Sequence, residues 1–532
     1  IDGGEGTDSI YIESAVAVNM STQTSLETVQ INAVGAPVAV TLATDKAYKT
    51  LESTSSTGNV TFNSIRNGDI DAGITSQANG STVTLNYHGT ALTGASDNLD
   101  VTLSGADGDL DITGVNAANS LETLTINSIS DGTLDDIDLT NANTTKLVVT
   151  GSGASNIAGI TGAATTLNTI DASAATGAVT VTGVNTTANT ITGGSGNDTL
   201  AGAAGNDTIS SGTGDDQVTG AAGNDNVTLG AGNDTVVLAT AADVTKDDAI
   251  DGGEGTDTLT LTGTLDYSTA GAGTDDASGI KGFEVLESGG TVTQDMTGLA
   301  ANNTITSVNV AAHTVTLTKD TAITSATFTA DNASLTMASA GTQTLTLAGD
   351  NGAGVPTDVS ASTFKSGATA LNLVSAGTDA ANDNAVTLTG TALATLTVTG
   401  AEDVDVTANL SKAVATADFS GSTAEEVSFS ASISEAALTY KTGTATQTSA
   451  LTTGKGADTI TLGELDDTVS NSGDGADTIT AGGGNDTISA TGKGADKIDL
   501  GAGDDTVTGS GAGNDTITGG DGNDTVSDAG AD

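Results

Sequence analysis

Five nine-residue blocks stand end to end from Gly193 to Val237, reading GGSGNDTLA, GAAGNDTIS, SGTGDDQVT, GAAGNDNVT and LGAGNDTVV. The sixth position is always Asp: Asp198, Asp207, Asp216, Asp225 and Asp234. The fourth is always Gly and the eighth is always Leu, Ile or Val. A period of nine held in phase over five blocks confines the fold to one local unit repeated and stacked. The first six residues need positive φ angles, which Gly supplies without steric cost, so they form a tight turn. The last three form a short strand whose apolar residue, such as Ile209 or Val218, faces a narrow core.

Such a turn delivers a short, stiff carboxylate and lets backbone carbonyls approach one point. A hard cation such as Ca²⁺ takes six to eight oxygen ligands of these two kinds. The pattern resembles the RTX (haemolysin-type calcium-binding) repeat. That resemblance implies a parallel β-roll with Ca²⁺ held at several turns. It implies metal-ligand roles for the five Asp residues above, and for Asp8 and Asp257 in the isolated motif IDGGEGTD. This motif occurs twice, at 1–8 and 250–257.

A second array runs from about Gly454 to Ser527. Its Asp residues are Asp458, Asp467, Asp477, Asp486, Asp496, Asp505, Asp515 and Asp524, with steps alternating nine and ten. Strict alternation means two kinds of turn and a coil of 19 residues. Asp458, Asp477, Asp496 and Asp515 are expected to stack along one edge, and Asp467, Asp486, Asp505 and Asp524 along the other. All eight join the predicted calcium ligands, each ion being shared by adjacent coils on one edge.

The repeated octapeptide points to an internal duplication. It predicts a β-rich segment over 1–192 opening with one motif, a roll over 193–237 and a linker over 238–249. A second β-rich segment over 250–451 opens with the second motif, and a second roll covers 452–532. Between the arrays, Thr and β-branched residues alternate at period two, as in TVTLNY (82–87), KLVVTG (146–151), TVTLT (314–318) and ATLTVTG (394–400). Such runs favour half-buried strands. The expected class is all-β: elongated β-solenoid-like segments continuing into calcium-binding parallel β-rolls, with a β-sandwich as the alternative for the inter-array segments. The chain opens inside a motif with no initiator Met, which predicts a fragment or processed form of a longer repeat protein.

Charge bounds the partners. Asp and Glu number 67 against 13 Lys and Arg, a net charge of −54. Nucleic-acid binding needs basic patches and is excluded. Aromatic content is 2%, and so acidic and aromatic-poor a composition on its own reads as disordered. Bound calcium resolves the conflict by neutralising the carboxylates. At a free concentration ~10 times Kd, each site adds roughly 1.4 kcal/mol, so folding is expected to be switched by calcium. No apolar run reaches the length of a membrane-spanning helix, and there is no Cys.

Catalytic signatures are missing from the sequence. It has no HExxH, and His88 and His313 are 225 positions apart. It has no GxSxG elbow. Acid pairs such as Asp135-Asp136 and Glu425-Glu426 read as solvated loop charge. The third positions of the first array (Ser195, Ala204, Thr213, Ala222, Ala231) form no Thr ladder for ice binding. Taken whole, the chain resembles RTX-type surface-layer (S-layer) proteins of Gram-negative bacteria. That resemblance implies a non-enzymatic structural protein at the extracellular bacterial cell surface, exported by type I secretion. Ca²⁺ would be its cofactor, and copies of itself its partners in a lattice or filament, with cell-surface polysaccharide as a further partner. The alternative is a stalk segment of a large RTX adhesin.

Overall fold

The computed structural model describes the chain except residues 1–2, 44–47, 79, 90, 93–96, 115–119, 140–142, 162–165, 184–185, 187, 240–242, 244–246, 264–278, 297–298, 300–301, 312, 319–321, 349–358, 360, 377–383, 391, 411–413, 433–436, 444–447, 471–472, 491 and 528–532. Two compact units divide it, one over 1–259 and 266–283, the other over 260–265 and 284–532.

Each unit is a parallel β-solenoid. Typically a strand pairs in parallel not with its sequence neighbour but with the strand after it, because successive strands lie on opposite faces of a flattened coil. In the first unit one face is a sheet of 13 strands running from Ser9–Ser14 to Ile280–Lys281. The opposite face begins with Val18–Asn19, Val38–Thr41 and Val60–Ile65, paired in that order. In the second unit, the long strands Ser334–Ala348 and Ser362–Ala376 pass round a corner. Each therefore pairs with strands of both faces. The sandwich alternative is thus replaced by coils throughout. The strands expected at 82–87, 146–151, 314–318 and 394–400 appear as Ser81–Tyr87, Lys146–Gly151, Thr314–Thr318 and Thr395–Gly400.

Alternation sets the core. In Ser81–Tyr87 residues are buried and half-buried by turns, as period-two patterning requires. Inward residues stack coil over coil: Val29, Leu51, Ala72, Val101, Ile126 and Val149 form one column. In the rolls many strands shorten to three residues, as in Thr199–Ala201 and Thr459–Thr461, while others such as Thr208–Thr213 keep six, and one principal apolar column forms per face. Ile170, Ile191, Ile209, Val227, Ile250 and Ile280 form such a column in the first unit. Tyr440, Ile460, Ile479, Ile498 and Ile517 form one in the second.

One boundary differs from the division read in the sequence. The strand Ala249–Glu254 pairs with Asn226–Ala231, so the motif at 250–257 closes the first roll instead of opening the second segment. Among the residues read as a linker, Asp243 and Asp248 are buried within the first unit, while 240–242 and 244–246 lie outside the described residues.

The second unit carries a cluster of aromatic rings. Phe419, Phe429 and Tyr440 are fully buried and pack with centroids 5.4–5.8 Å apart, a geometry that adds to simple burial. Phe429→Ala should lower the unfolding free energy of the calcium-loaded chain by about 3–5 kcal/mol. Chemical denaturation measures it, and a loss below ~1 kcal/mol would contradict this packing.

Candidate metal sites in the carboxylate ladders

The Asp of each repeat closes its turn one residue before the strand. Its carbonyl accepts the N–H of the residue that opens the next coil's strand, as in Gln217 to Asp198 at 2.8 Å and Thr478 to Asp458 at 2.8 Å. Its side chain then reaches back along the axis. Oδ1 of Asp216 accepts the N–H of Asp198 at 2.8 Å, Oδ1 of Asp234 that of Asp216 at 2.8 Å, and Oδ1 of Asp257 that of Asp234 at 2.9 Å. The opposite edge runs from Asn189 through Asp207 and Asp225 to Asp248, at 2.6, 2.9 and 2.6 Å.

In the second unit the two edges follow the alternating spacing. One runs Leu438, Asp458, Asp477, Asp496, Asp515, with separations of 2.8–2.9 Å. The other runs Ser449, Asp467, Asp486, Asp505, Asp524, at 2.6–3.1 Å. Asp8 stands apart and donates its own N–H to Glu27 Oε2 at 2.8 Å.

The second carboxylate oxygen tells more. In Asp198 and Asp467, Oδ2 accepts a turn N–H, from Gly194 at 2.8 Å and from Gly463 at 3.1 Å. In Asp8, Asp207, Asp234, Asp486, Asp496, Asp505 and Asp515, Oδ2 is buried and meets no hydrogen-bond donor. A buried, unsatisfied carboxylate oxygen is costly, and a cation removes that cost. The first Gly of the turn shows where it would fit. A Cβ on Gly193 would meet Asp198 Oδ2 at 2.6 Å together with the carbonyl oxygen of Ser211. One on Gly252 would meet Asp257 Oδ2 at 2.7 Å and the carbonyl oxygen of Gly282. Carboxylate and carbonyl oxygens from neighbouring coils therefore converge on the space that these glycines leave open. Among the described residues no group of three or more His, Asp or Glu side chains gathers at one point. A cation held here takes most of its ligands from backbone carbonyls, a donor set suited to Ca²⁺.

A second ladder lies outside the first and was not read in the sequence. The residue before the Asp accepts an N–H from the following coil: Asn197 Oδ1 from Asp215 at 3.0 Å, Asp215 Oδ1 from Asn233 at 2.8 Å, and Asn206 Oδ1 from Asn224 at 3.0 Å. It runs opposite in direction to the Asp ladder. This explains why the fifth position of the array is always Asn or Asp. Asp248 was also missed. The coil from Asp225 to Asp248 is 23 residues instead of 18, which breaks the spacing. The surviving signal is Asp248-Ala249-Ile250, the Asp-x-apolar ending of a repeat.

Burial dominates the electrostatics. It pushes the carboxyls of Asp225 and Asp486 up to about 7, opposed by ladder N–H donors and reinforced by neighbouring carboxylates. Asp234 and Asp467 rise to about 6, again chiefly through burial. These groups favour their neutral form wherever no cation balances them.

A parallel roll whose turns offer paired carboxylate and carbonyl oxygens belongs to the calcium β-roll class. Residues 185–218, 202–236, 471–492, 489–511 and 510–527 match the family model of the RTX calcium-binding nonapeptide repeat, and the chain is an RTX-type repeat protein. Repeats of that family bind Ca²⁺. Asp8, Asp257, Asp458 and Asp467 lie outside the matched segments, yet the last three occupy the same ladders as the Asp residues within them. No curated protein matches the sequence.

Two outcomes follow for the chain with calcium chelated. A raised folded-state pKa means that the folded form holds protons the unfolded form has released. Stability is then present below about pH 4 and lost as pH rises through 6–7. Melting of the chelated chain should be higher at pH 5 than at pH 7.5, and the reverse order would contradict the burial of these carboxyls. Separately, Asp486→Asn keeps an oxygen for the Asp467 N–H but deletes the charge. It should leave the chelated chain at least as stable while moving the calcium midpoint to higher concentration. Asp486→Ala should weaken both states. Equal effects of the two variants on the chelated chain would contradict the split between Oδ1 and Oδ2.

Proposed function

We propose that the protein is an extracellular structural element whose two rolls become rigid on binding calcium, and that copies of it assemble into a cell-surface layer or filament. The observation that carries this reading is the run of buried Oδ2 atoms without donors along both rolls. Each is a site where a divalent ion replaces repulsion with ligation. Extracellular calcium modules bind at about 10⁻⁴–10⁻³ M, so such sites stay empty in a calcium-poor cytosol and fill outside. The chain would leave the cell loose and stiffen at the surface.

A net charge of −54 opposes close approach of copies until the ladders are neutralised, which makes assembly depend on the same ion. Neither an HExxH nor a GxSxG sequence is present. Among the described residues no helix is long and apolar enough to cross a membrane.

Circular dichroism and sedimentation, followed as calcium replaces chelator, test the proposal. A gain of β signal at millimolar calcium, followed by large assemblies that electron microscopy resolves as lattices or filaments, is the expected result. A chain that folds with calcium yet stays monomeric at high concentration would overturn the assembly reading in favour of an adhesin stalk.

A further inference from the structure

The two edges of the second roll differ in charge once the ladder carboxylates are set aside. Along the edge of Asp458, Asp477, Asp496 and Asp515, the residue three places before each Asp is Lys455, Asp474, Lys493 or Ala512. The residue immediately before it is Ala457, Ala476, Ala495 or Asn514, and Lys497 follows Asp496. The other edge carries Glu464, Asp466, Asp504 and Asp521 at the corresponding places, with no cation. All these charged side chains are exposed. Counting Asp474 and the exposed Asp499 two places past Lys497, the first edge has three lysines against two carboxylates in a chain with only 13 Lys and Arg, whereas the other has four carboxylates and no cation.

Among the described residues these cations form no ion pair: the pairs there are Lys146–Asp171 at 2.8 Å and Lys281–Asp251 at 2.7 Å, and Lys455, Lys493 and Lys497 take part in neither. A cleft of about 170 Å³ opens beside Lys455, lined in part by Ser432, Thr453 and Gly473. On the anionic edge the carboxylates are held in place. Asp466 Oδ1 accepts the N–H of Asn485 at 2.6 Å, and Asp504 Oδ1 that of Asn523 at 2.8 Å.

The spacings agree. Lys455 and Lys493 are 38 residues apart, and so are Asp466 and Asp504. In a roll of 19-residue coils, as the register Ile460, Ile479, Ile498 shows, that is two coils. Both pairs therefore repeat at roughly 10 Å along the axis, twice the strand spacing.

From this match, and resting on the self-assembly reading above, we infer that the Lys455–Lys493–Lys497 edge of one copy docks against the Glu464–Asp466–Asp504 edge of the second roll of another copy. The contact joins two different surfaces, so it is heterologous and leaves a free edge on each side of the pair. Repetition gives open rows rather than a closed dimer. Single exposed ion pairs are weak. Periodic repetition along two matched edges gives the contact its strength and its register. Filling the ladder sites with calcium is a precondition, because it cancels the carboxylates that flank the lysines.

Charge reversal tests the inference on the full chain. One variant carries Lys455→Glu, Lys493→Glu and Lys497→Glu, and the other carries Glu464→Lys, Asp466→Lys and Asp504→Lys. The cationic edge already has Ala before its Asp residues, so the turn tolerates loss of the Asp466 and Asp504 acceptors. Each variant should keep the calcium-induced circular dichroism change and lose calcium-dependent assembly in sedimentation. An equimolar mixture should recover assembly, because each reversed edge then meets its complement. Sodium chloride at about 0.5 M should dissolve the wild-type rows, since exposed charges are screened within a few ångströms there. If wild type assembles and either folded variant assembles equally well, this contact is wrong while the self-assembly reading stands. If wild type with calcium never assembles, the self-assembly reading itself fails, and the contact with it.

Discussion

Everything in the two rolls follows from a buried aspartate that uses one oxygen to hold the neighbouring coil. The Oδ1 acceptor satisfies a turn N–H that would otherwise be orphaned, and it fixes the axial spacing of the turns. The price is a carboxylate out of water with its other oxygen unmatched. That cost explains the composition around it. Where the first position is Gly, as at Gly193, Gly202 and Gly220, a Cβ would fill the space beside Oδ2 of that repeat's Asp. At the fourth position, Gly232 has φ +146 and a Cβ there would strike the carbonyl oxygen of Gly214. Most coils between ladder carboxylates are 18 or 19 residues, and where the coil lengthens to 23, from Asp225 to Asp248 and from Asp234 to Asp257, the carboxylate still reaches the preceding turn, at 2.6 and 2.9 Å.

Narrow coils have a second consequence. With one principal apolar column per face, a roll buries little hydrophobic surface per residue, and hydrophobic burial scales with area. The wide coils of each unit carry two or three inward residues per strand, as in Ser81–Tyr87, and in the second unit an aromatic cluster. Stability is therefore unevenly distributed. The wide coils have a core of their own, whereas the rolls depend on cations to offset their carboxylates. Such a chain responds to calcium locally, stiffening where the ladders lie.

Much of this was legible in the residues. The alternation of nine and ten between Asp458 and Asp524 separated the two edges, because a strand edge admits only one phase. The Thr-rich runs became strands where expected, because period-two patterning with β-branched residues has few other solutions. What stayed hidden depended on contacts between coils. Asn189 and Asp248 extend a ladder across coils of irregular length, so no fixed period marks them. The fifth-position ladder looked like ordinary turn composition until its hydrogen bonds could be traced. The motif at 250–257 reads as an opening because it duplicates residues 1–8. Its place was decided by pairing with Asn226–Ala231, which sequence identity does not encode.

Hydrogen exchange read by mass spectrometry, with and without calcium, addresses the central claim most directly. If buried carboxylates await a divalent ion, calcium should slow amide exchange strongly across 193–258 and 458–527 and change it little in the wide coils around 98–151. Equal protection of the rolls in chelator and in calcium would show that the ladders hold without the ion, and would contradict the account.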